Sequence, residues 1–136
     1  MTLYLDSSSL VKLYVEEPGS DEVHRLVQEA DVVSTSAIAY AEVRATFARR
    51  RRERLMSPAD CSTAIRQFEL DWTRFASIPV GMDSALAAGR LADEHGVRAL
   101  DAVHLSAFKE VLAHADGEVH FSCADERLVK AAKKLG

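Results

Sequence analysis

The sequence predicts a single α/β domain spanning residues 1–136, with a parallel sheet covered by helices on both faces. Two observations lead to this fold class. Short apolar runs alternate along the chain with longer segments of helical periodicity, a pattern typical of strands joined by helical crossovers. The chain also has 136 residues, no internal repeat and no linker rich in proline, glycine or serine, so a single hydrophobic core is expected.

The first elements follow from apolar runs and breaker residues. Residues 2–5 form an apolar run that predicts a buried strand, and Ser7 to Val15 predicts a helical turn. Pro18-Gly19 interrupts that turn, and Ser20 is placed to cap a helix that runs to about residue 30. Residues 32–34 predict the second strand.

The middle of the chain carries clearer helix signals. Ser36 is placed to cap a long helix that ends in the arginines at 49–52. Ser57-Pro58 predicts the start of the next helix, because proline suits the first helical position. Residues 78–80 predict a third strand, which its proline keeps short or at a sheet edge.

The last elements are predicted by caps and by alternation. Asp83 is placed to cap a helix that stops at Gly96, where glycine suits the left-handed C-terminal position. A further helix should open close to Asp101. Residues 118–123 alternate like a strand, and Asp125 is placed to cap the final helix.

Bulk charge weakly opposes nucleic-acid binding, since the formal net charge is −4. The basic residues are nevertheless concentrated, with Arg44, Arg49 and Arg50 inside one short stretch that also includes the arginines at 51, 52 and 54. Local charge matters more than the total when a polyanion docks. The stretch is equally well explained as the solvated C-terminal end of a helix, where cations are favoured.

The expected location is the cytoplasm. The first residues have neither the basic region nor the long apolar region of a signal peptide, and no apolar run is long enough to span a membrane. The two cysteines, Cys61 and Cys123, are far apart and match no metal-ligand spacing, so they are expected to be reduced thiols.

Four acidic residues stand out as a possible metal site. Asp6 directly follows the first predicted strand and Asp125 follows the last, while Glu42 and Asp101 lie early in helices and have apolar neighbours. Carboxylates in such segments must be paired or metal-bound, and oxygen ligands select Mg²⁺ or Mn²⁺ rather than zinc. Taken singly, Asp6, Asp101 and Asp125 could each be only a helix cap.

Other acid-bearing folds fit less well. A phosphotransfer receiver domain needs paired acids at the end of its first strand, and here Leu5 precedes Asp6 while serines follow it. A haloacid-type phosphatase needs a second aspartate at the position that Ser8 occupies. No glycine-rich phosphate loop indicates an NTPase.

Taken together, the motifs resemble those of PIN-domain ribonucleases, and among them the VapC-like toxins of bacterial toxin–antitoxin pairs. The matching segments occur in the family's order and cover essentially the whole chain. They are Leu5-Asp6-Ser7-Ser8-Ser9-Leu10-Val11-Lys12-Leu13-Tyr14, Tyr40-Ala41-Glu42-Val43-Arg44, Arg98-Ala99-Leu100-Asp101-Ala102-Val103-His104-Leu105 and Phe121-Ser122-Cys123-Ala124-Asp125-Glu126-Arg127-Leu128.

The resemblance implies a PIN-like three-layer sandwich with a short parallel sheet of four to five strands and an acidic pocket at its carboxyl edge. Its catalytic and metal-binding residues would be Asp6, Glu42, Asp101 and Asp125, with Asp125 at the family's most variable position. It also implies a supporting hydroxyl near the first acid. Ser8 is the first choice, with Ser7 as its rival, and Ser122 could share the corner of Asp125.

The implied activity is metal-dependent hydrolysis of RNA by a toxin that a small antitoxin silences. Arg98 and Lys12 are candidates for phosphate contact, or alternatively surface ion-pair partners, and Arg44, Arg49 and Arg50 could hold the RNA backbone farther out. His104 is expected to be packed within its helix.

The antitoxin would insert a cation into the acidic pocket and a helix into an apolar groove near Leu10 to Tyr14 or Phe47. A homodimer is expected from the family, and no membrane contact. The alternatives left open are an RNA-processing PIN nuclease that is not a toxin and a non-catalytic PIN-like scaffold.

Overall fold

The structure, a computed structural model, describes residues 1–136 as four strands and seven helices. In chain order they are β1 (Thr2–Leu5), α1 (Ser7–Val11), α2 (Ser20–Glu29), β2 (Val32–Ser36), α3 (Ile38–Arg52), α4 (Pro58–Trp72), β3 (Ala76–Ile78), α5 (Met82–His95), α6 (Ala99–His114), β4 (Val119–Ser122) and α7 (Glu126–Lys133). The alternation of strands and helices agrees with the predicted fold class.

All four strands are parallel and lie in the order β3-β2-β1-β4. Strand β1 is central, with Thr2 opposite Val32 of β2 on one side and Leu5 opposite Ser122 of β4 on the other. Because the strands are parallel, the residues that follow each of them emerge at one edge of the sheet. The predicted parallel sheet with helices on both faces is confirmed.

Alternation along β1 divides the interior into two cores. Leu3 and Leu5 point to one face, where they join buried side chains of α1, α2, α3 and α4. Tyr4 points to the other face and packs with buried side chains of α5, α6 and α7. The sheet is therefore buried on both faces, as its apolar central strand indicates.

An aromatic cluster holds α3 and α4 together on the first face. Phe68 is fully buried and its ring lies 5.5 Å from that of Tyr40, 5.4 Å from that of Tyr14 and 5.6 Å from that of Trp72. Most of these pairs meet edge to face, the arrangement that aromatic rings prefer. The cluster fixes α3, and with it Glu42, against the sheet.

Three predicted helix boundaries are confirmed in atomic detail. The Ser57 hydroxyl accepts a hydrogen bond from the backbone N–H of Asp60 at 3.0 Å, with proline next in the chain. The Asp125 carboxylate accepts from the backbone N–H of Arg127 at 2.9 Å. Gly96 ends α5 with a φ of 64°, in the left-handed region that favours glycine.

Three predicted positions are wrong by a few residues. Gly19, with a φ of 95°, caps α2 in place of Ser20, whose hydroxyl instead accepts from the backbone N–H of Glu17. Gly81 caps α5 in place of Asp83, because the Ser84 hydroxyl closes a capping box with the Gly81 backbone. The third strand ends at Ile78, before the proline that cannot donate to a ladder, instead of running through 78–80.

The expected apolar groove near Leu10 to Tyr14 or Phe47 is wrong for Leu10 and Phe47, because both side chains are fully buried in the first core. Leu13, in the first of these stretches, is only partly buried and lines a concavity. The most exposed apolar side chains are those of Leu55, Leu70 and Met82, at 69%, 68% and 74%. No helix in the structure is both long enough and apolar enough to cross a bilayer.

Candidate active site

The four predicted acids lie around the carboxyl edge of the sheet. Asp6 follows β1, Asp125 follows β4 by three residues, Glu42 lies in the second turn of α3 and Asp101 lies in the first turn of α6. Burial raises the pKa of Asp101, and the negative charges of Asp125 and then Asp6 raise it further. Asp101 is therefore close enough to Asp125 and Asp6 to be repelled by both.

Asp6 is held rigidly where β1 ends. It is 5% exposed and caps the N-terminus of α1. Its Oδ1 accepts hydrogen bonds from the Ser8 hydroxyl at 2.7 Å and from the backbone N–H of Ser9 at 3.0 Å. Ser8 thus makes the contact expected of the supporting hydroxyl, and Ser7 makes no side-chain hydrogen bond.

The other oxygen of Asp6 has an unexpected partner. The Cys123 thiol donates to Oδ2 of Asp6 at 2.9 Å and accepts from the backbone N–H of Asp125 at 3.3 Å. Burial and the nearby charge of Asp6 raise the pKa of this thiol to about 12. Ser122, expected in this corner, is the buried last residue of β4 and bonds instead to the hydroxyl of Ser9 at 2.9 Å.

Glu42 is joined to the site by a buried histidine. Nε2 of His104 lies 2.7 Å from Oε1 of Glu42, and Nδ1 of the same ring lies 2.8 Å from the Tyr4 hydroxyl. The pKa of Tyr4 is raised well above its usual value, first by burial and then by the charges of Asp6 and Glu42. His104 is packed within its helix, as expected, but its ring also connects three elements.

Asp101 and Asp125 both lie at helix N-termini, where backbone N–H groups and the helix dipole favour negative charge. Asp101 is partly buried and Asp125 is exposed. Arg98, the exposed N-cap residue of α6, lowers the pKa of Asp101 through its positive charge, although the repulsion from the other acids is larger. This end of α6 therefore places a cation at the border of the acidic group.

The five candidate RNA-binding cations fall into two groups. Lys12 and Arg50 both pair with Glu17, at 3.0 Å and 2.6 Å, and Arg44 pairs with Glu69 at 3.0 Å. Arg49 and Arg98 are exposed and make no ion pair. The ion-pair alternative considered for Lys12 is the one that the structure displays.

The donor set suits a hard divalent cation, although no three acidic, histidine or cysteine side chains are arranged as a ready metal cage. The candidate ligands are carboxylates, which Mg²⁺ and Mn²⁺ prefer. Burial and then repulsion from Asp125 and Asp6 raise the pKa of Asp101, and a bound cation relieves repulsion of this kind. The residues present therefore fit such an ion.

A large concavity lies elsewhere. It has a volume of about 1020 Å³, and its walls include Met1, Val32 and Ala76 at the starts of strands β1, β2 and β3 together with Met82 and His114. None of the four acids lines it. The case for the acidic site therefore rests on its chemistry and its position at the carboxyl edge.

The fold matches a solved structure. The chain superimposes on a chain of the crystal structure of FitAcB from Neisseria gonorrhoeae with a TM-score of 0.71 and 19% sequence identity. The match covers 96% of this chain and 93% of the other. It supports the shared architecture.

The sequence comparisons show the family. The PIN-domain profile matches residues 3–134. The chain is 34% identical to ribonucleases VapC45 and VapC49 of Mycobacterium tuberculosis, over 98% of this chain and 91% of each relative. It is 31% identical to ribonuclease VapC46 of the same species, again over 98% of this chain. The predicted resemblance is confirmed, and the chain belongs to the PIN-domain family as a VapC-like protein.

Proposed function

We propose that this protein is a metal-dependent endoribonuclease that hydrolyses RNA phosphodiester bonds and acts as the toxin of a toxin–antitoxin pair. The observation that carries the proposal is that Asp101 lies at the carboxyl edge with Asp125 and Asp6, where burial and then the charges of these two aspartates raise its pKa. Its support comes from relatives that are named ribonucleases and match nearly the full chain. Catalysis is assigned to Asp6, Glu42, Asp101 and Asp125.

We assign Mg²⁺ or Mn²⁺ to these four carboxylates. The chemistry that such a cation supplies when bound is neutralisation of charge on the phosphodiester and a lower pKa for the attacking water. Asp6 and Asp101 are the central ligands in this proposal, while Glu42 and Asp125 complete the site directly or through water. Ser8 fixes the orientation of Asp6 by donating to Oδ1.

Contact with the RNA backbone is assigned first to Arg98 and Arg49, because both are exposed and without a carboxylate partner. Arg98 lies beside Asp101, so it can hold a phosphate next to the reacting bond. Lys12, Arg44 and Arg50 are held by glutamates and contribute to the field around the site. Phosphate contacts of this kind position a strand without reading its sequence.

A small antitoxin is the proposed protein partner, with a basic side chain that inserts among the aspartates. Its apolar segment is assigned to a smaller concavity of about 400 Å³, lined in part by Leu13, Val27 and Phe75. Cys61 and Cys123 are both free thiols, in keeping with the cytoplasmic location that this role requires.

We also propose a homodimer that uses the exposed apolar side chains of α5. Met82 is 74% exposed and Leu86 is 56% exposed, one helical turn apart. Light scattering should give the mass of two chains, and Met82→Glu should give the mass of one. A single-chain mass for the wild-type protein at tens of micromolar concentration would exclude the dimer.

The experiment that tests the function is cleavage of a labelled pool of structured RNAs in Mg²⁺, Mn²⁺ or EDTA. Asp6→Asn and Asp101→Asn remove one charge each from the site. Asp83→Asn removes a charge from an exposed position on α5, outside the site, and serves as the matched control. Cleavage should require the metal, disappear in both site variants and persist in the control.

Two other outcomes are informative. Absence of both cleavage and Mn²⁺ binding in a folded wild-type protein would contradict the proposal and leave a non-catalytic scaffold. Metal-dependent cleavage without growth arrest on expression would support an RNA-processing nuclease instead of a toxin.

A further inference from the structure

A chain of hydrogen bonds runs from the sheet to the acidic site through the protein interior. The Tyr4 hydroxyl lies 2.8 Å from Nδ1 of His104, whose Nε2 lies 2.7 Å from Oε1 of Glu42. Tyr4 is fully buried and His104 is 2% exposed, while the Glu42 side chain is 20% exposed. The three residues belong to β1, α6 and α3, so only the folded chain brings them together.

The surroundings determine which atom donates and which accepts in each of these hydrogen bonds. A buried hydroxyl needs an acceptor for its proton, and the acceptor within reach of Tyr4 is Nδ1 of His104. When Nδ1 accepts, the imidazole carries its proton on Nε2. That N–H then donates to the carboxylate of Glu42. The hydrogen bond from Tyr4 therefore selects the tautomer of His104 that carries its proton on Nε2, the nitrogen next to Glu42.

The arrangement has a direct consequence for Glu42. Oε1 is held by His104, whereas Oε2 accepts no hydrogen bond from the protein. A glutamate side chain is otherwise flexible, and ordering it costs conformational entropy. The hydrogen bond at Oε1 therefore restrains the carboxylate, while Oε2 stays free of protein partners.

We propose that His104 is a positioning residue, which the Tyr4 hydroxyl holds as the Nε2–H tautomer so that it orients Glu42 toward a divalent cation. This inference rests on the proposed function, since it assigns Glu42 a role in holding the metal. His104 touches neither the metal nor the RNA. It acts through the carboxylate, as the partners behind metal ligands commonly do.

Two measurements test this inference. Long-range ¹H–¹⁵N correlation spectra of the metal-free protein report which ring nitrogen of His104 carries the proton. Calorimetric titration with Mn²⁺ reports affinity without any need for RNA cleavage. Three variants are compared. His104→Leu removes the ring nitrogens, and His104→Gln keeps an N–H donor. Tyr4→Phe keeps the packed ring and removes the hydroxyl.

The expected spectrum of the wild-type protein is that of the Nε2–H tautomer. We expect His104→Leu to weaken Mn²⁺ binding about ten- to a hundredfold, and His104→Gln to recover most of the loss. Tyr4→Phe should release the tautomer preference and weaken binding less. Phe108→Leu is the control for packing. The Phe108 ring lies 5.8 Å from that of Tyr4 but takes no part in the hydrogen bonds that join Tyr4, His104 and Glu42.

An Nδ1–H tautomer in the wild-type protein would overturn the inference. So would wild-type Mn²⁺ affinity in His104→Leu, or an equal loss of affinity in Phe108→Leu. A wild-type protein that binds no Mn²⁺ would overturn the proposed function itself and, with it, the role assigned to His104.

Discussion

Cys123 donates a hydrogen bond from its thiol to Oδ2 of Asp6, at 2.9 Å, at the carboxyl edge of the sheet. Ser8 and the backbone N–H of Ser9 donate to the other oxygen, so both oxygens of this carboxylate are occupied. Oδ2 has a second lone pair, so it can bind a cation while the thiol still donates to it. Because of this hydrogen bond, the reactivity of the Cys123 thiol reports on the charge of Asp6.

Alkylation should report this relationship directly. Burial and the charge of Asp6 raise the pKa of Cys123 to about 12, so almost no thiolate is present at pH 8. We expect iodoacetamide to modify Cys123 at least about tenfold more slowly than an exposed cysteine of ordinary pKa, since the thiolate is the reactive form. Mass spectrometry of timed samples measures the rate.

The Asp6→Asn variant tests whether the charge of Asp6 causes the slow modification of Cys123. Removing the carboxylate charge should lower the pKa of Cys123 and accelerate its modification, while Cys61, which is 4% exposed, stays protected in both proteins. An unchanged rate at Cys123 in a folded Asp6→Asn variant would show that burial alone protects the thiol.

Neutralising two acids of one site should change stability in opposite directions. Asp101 is repelled by Asp125 and Asp6, so Asp101→Asn should raise the melting temperature in EDTA by about 1–3 °C. Asp6 accepts three hydrogen bonds, so Asp6→Asn should lower the free energy of unfolding by about 1 kcal/mol. Calorimetry in EDTA measures both, and a shift of the same sign in the two variants would contradict the assignment.

The raised pKa of Asp101 also predicts a pH dependence. The folded protein holds this proton more tightly than the unfolded chain, whose aspartate titrates near 3.8. The contribution of Asp101 to the free energy of unfolding should therefore fall as the pH rises from about 4 through the raised pKa. In metal-free buffer, Asp101→Asn should gain stability relative to the wild type across this interval, as parallel urea titrations can show. A constant difference between the two proteins would count against it.

Salt dependence of RNA binding should separate the free cations from the paired ones. Arg98→Gln and Arg49→Gln should each reduce the slope of log affinity against log salt by about 0.7–0.9, the value for one phosphate contact. Lys12→Gln should change that slope less, because Lys12 is paired with Glu17. Binding is measured in EDTA so that cleavage does not interfere. Equal effects in all three variants would show that the ion pair opens to bind RNA.

Buried and exposed side chains on α4, away from the acidic site, should differ in their effect on the free energy of unfolding. Phe68→Ala removes a fully buried ring from the aromatic cluster and should cost about 3–5 kcal/mol of the free energy of unfolding. Leu70→Ala, two residues on and 68% exposed, should cost no more than about 0.5 kcal/mol. Urea denaturation measures both. A loss at Phe68 below about 1 kcal/mol would mean that the cluster repacks.

Local signals in the chain were sufficient for much of the fold. Ser57-Pro58, Gly96 and Asp125 mark helix boundaries through interactions within a few residues, which the sequence contains in full. The boundary near Ser20 was missed because the Ser20 hydroxyl accepts from Glu17 in the preceding turn and α2 begins after Gly19. The boundary near Asp83 was missed because the Ser84 hydroxyl accepts from the backbone N–H of Gly81, which makes Gly81 the N-cap. Competition between adjacent caps depends on small energy differences that the residue types alone do not show.

In the candidate site too, some features could be predicted from the sequence and others could not. Residue types, and acids placed after apolar strands, were enough to name the candidate carboxylates, and the family resemblance supplied Ser8 as the supporting hydroxyl. The contacts of Cys123 with Asp6 and of His104 with Tyr4 and Glu42 were not predicted, because each joins residues from 62 to 117 positions apart. Strand pairing and helix packing bring such groups together. The chemistry of the site was thus readable from the amino acids, while its hydrogen-bond partners were decided by long-range contacts that exist only once both faces of the sheet are buried.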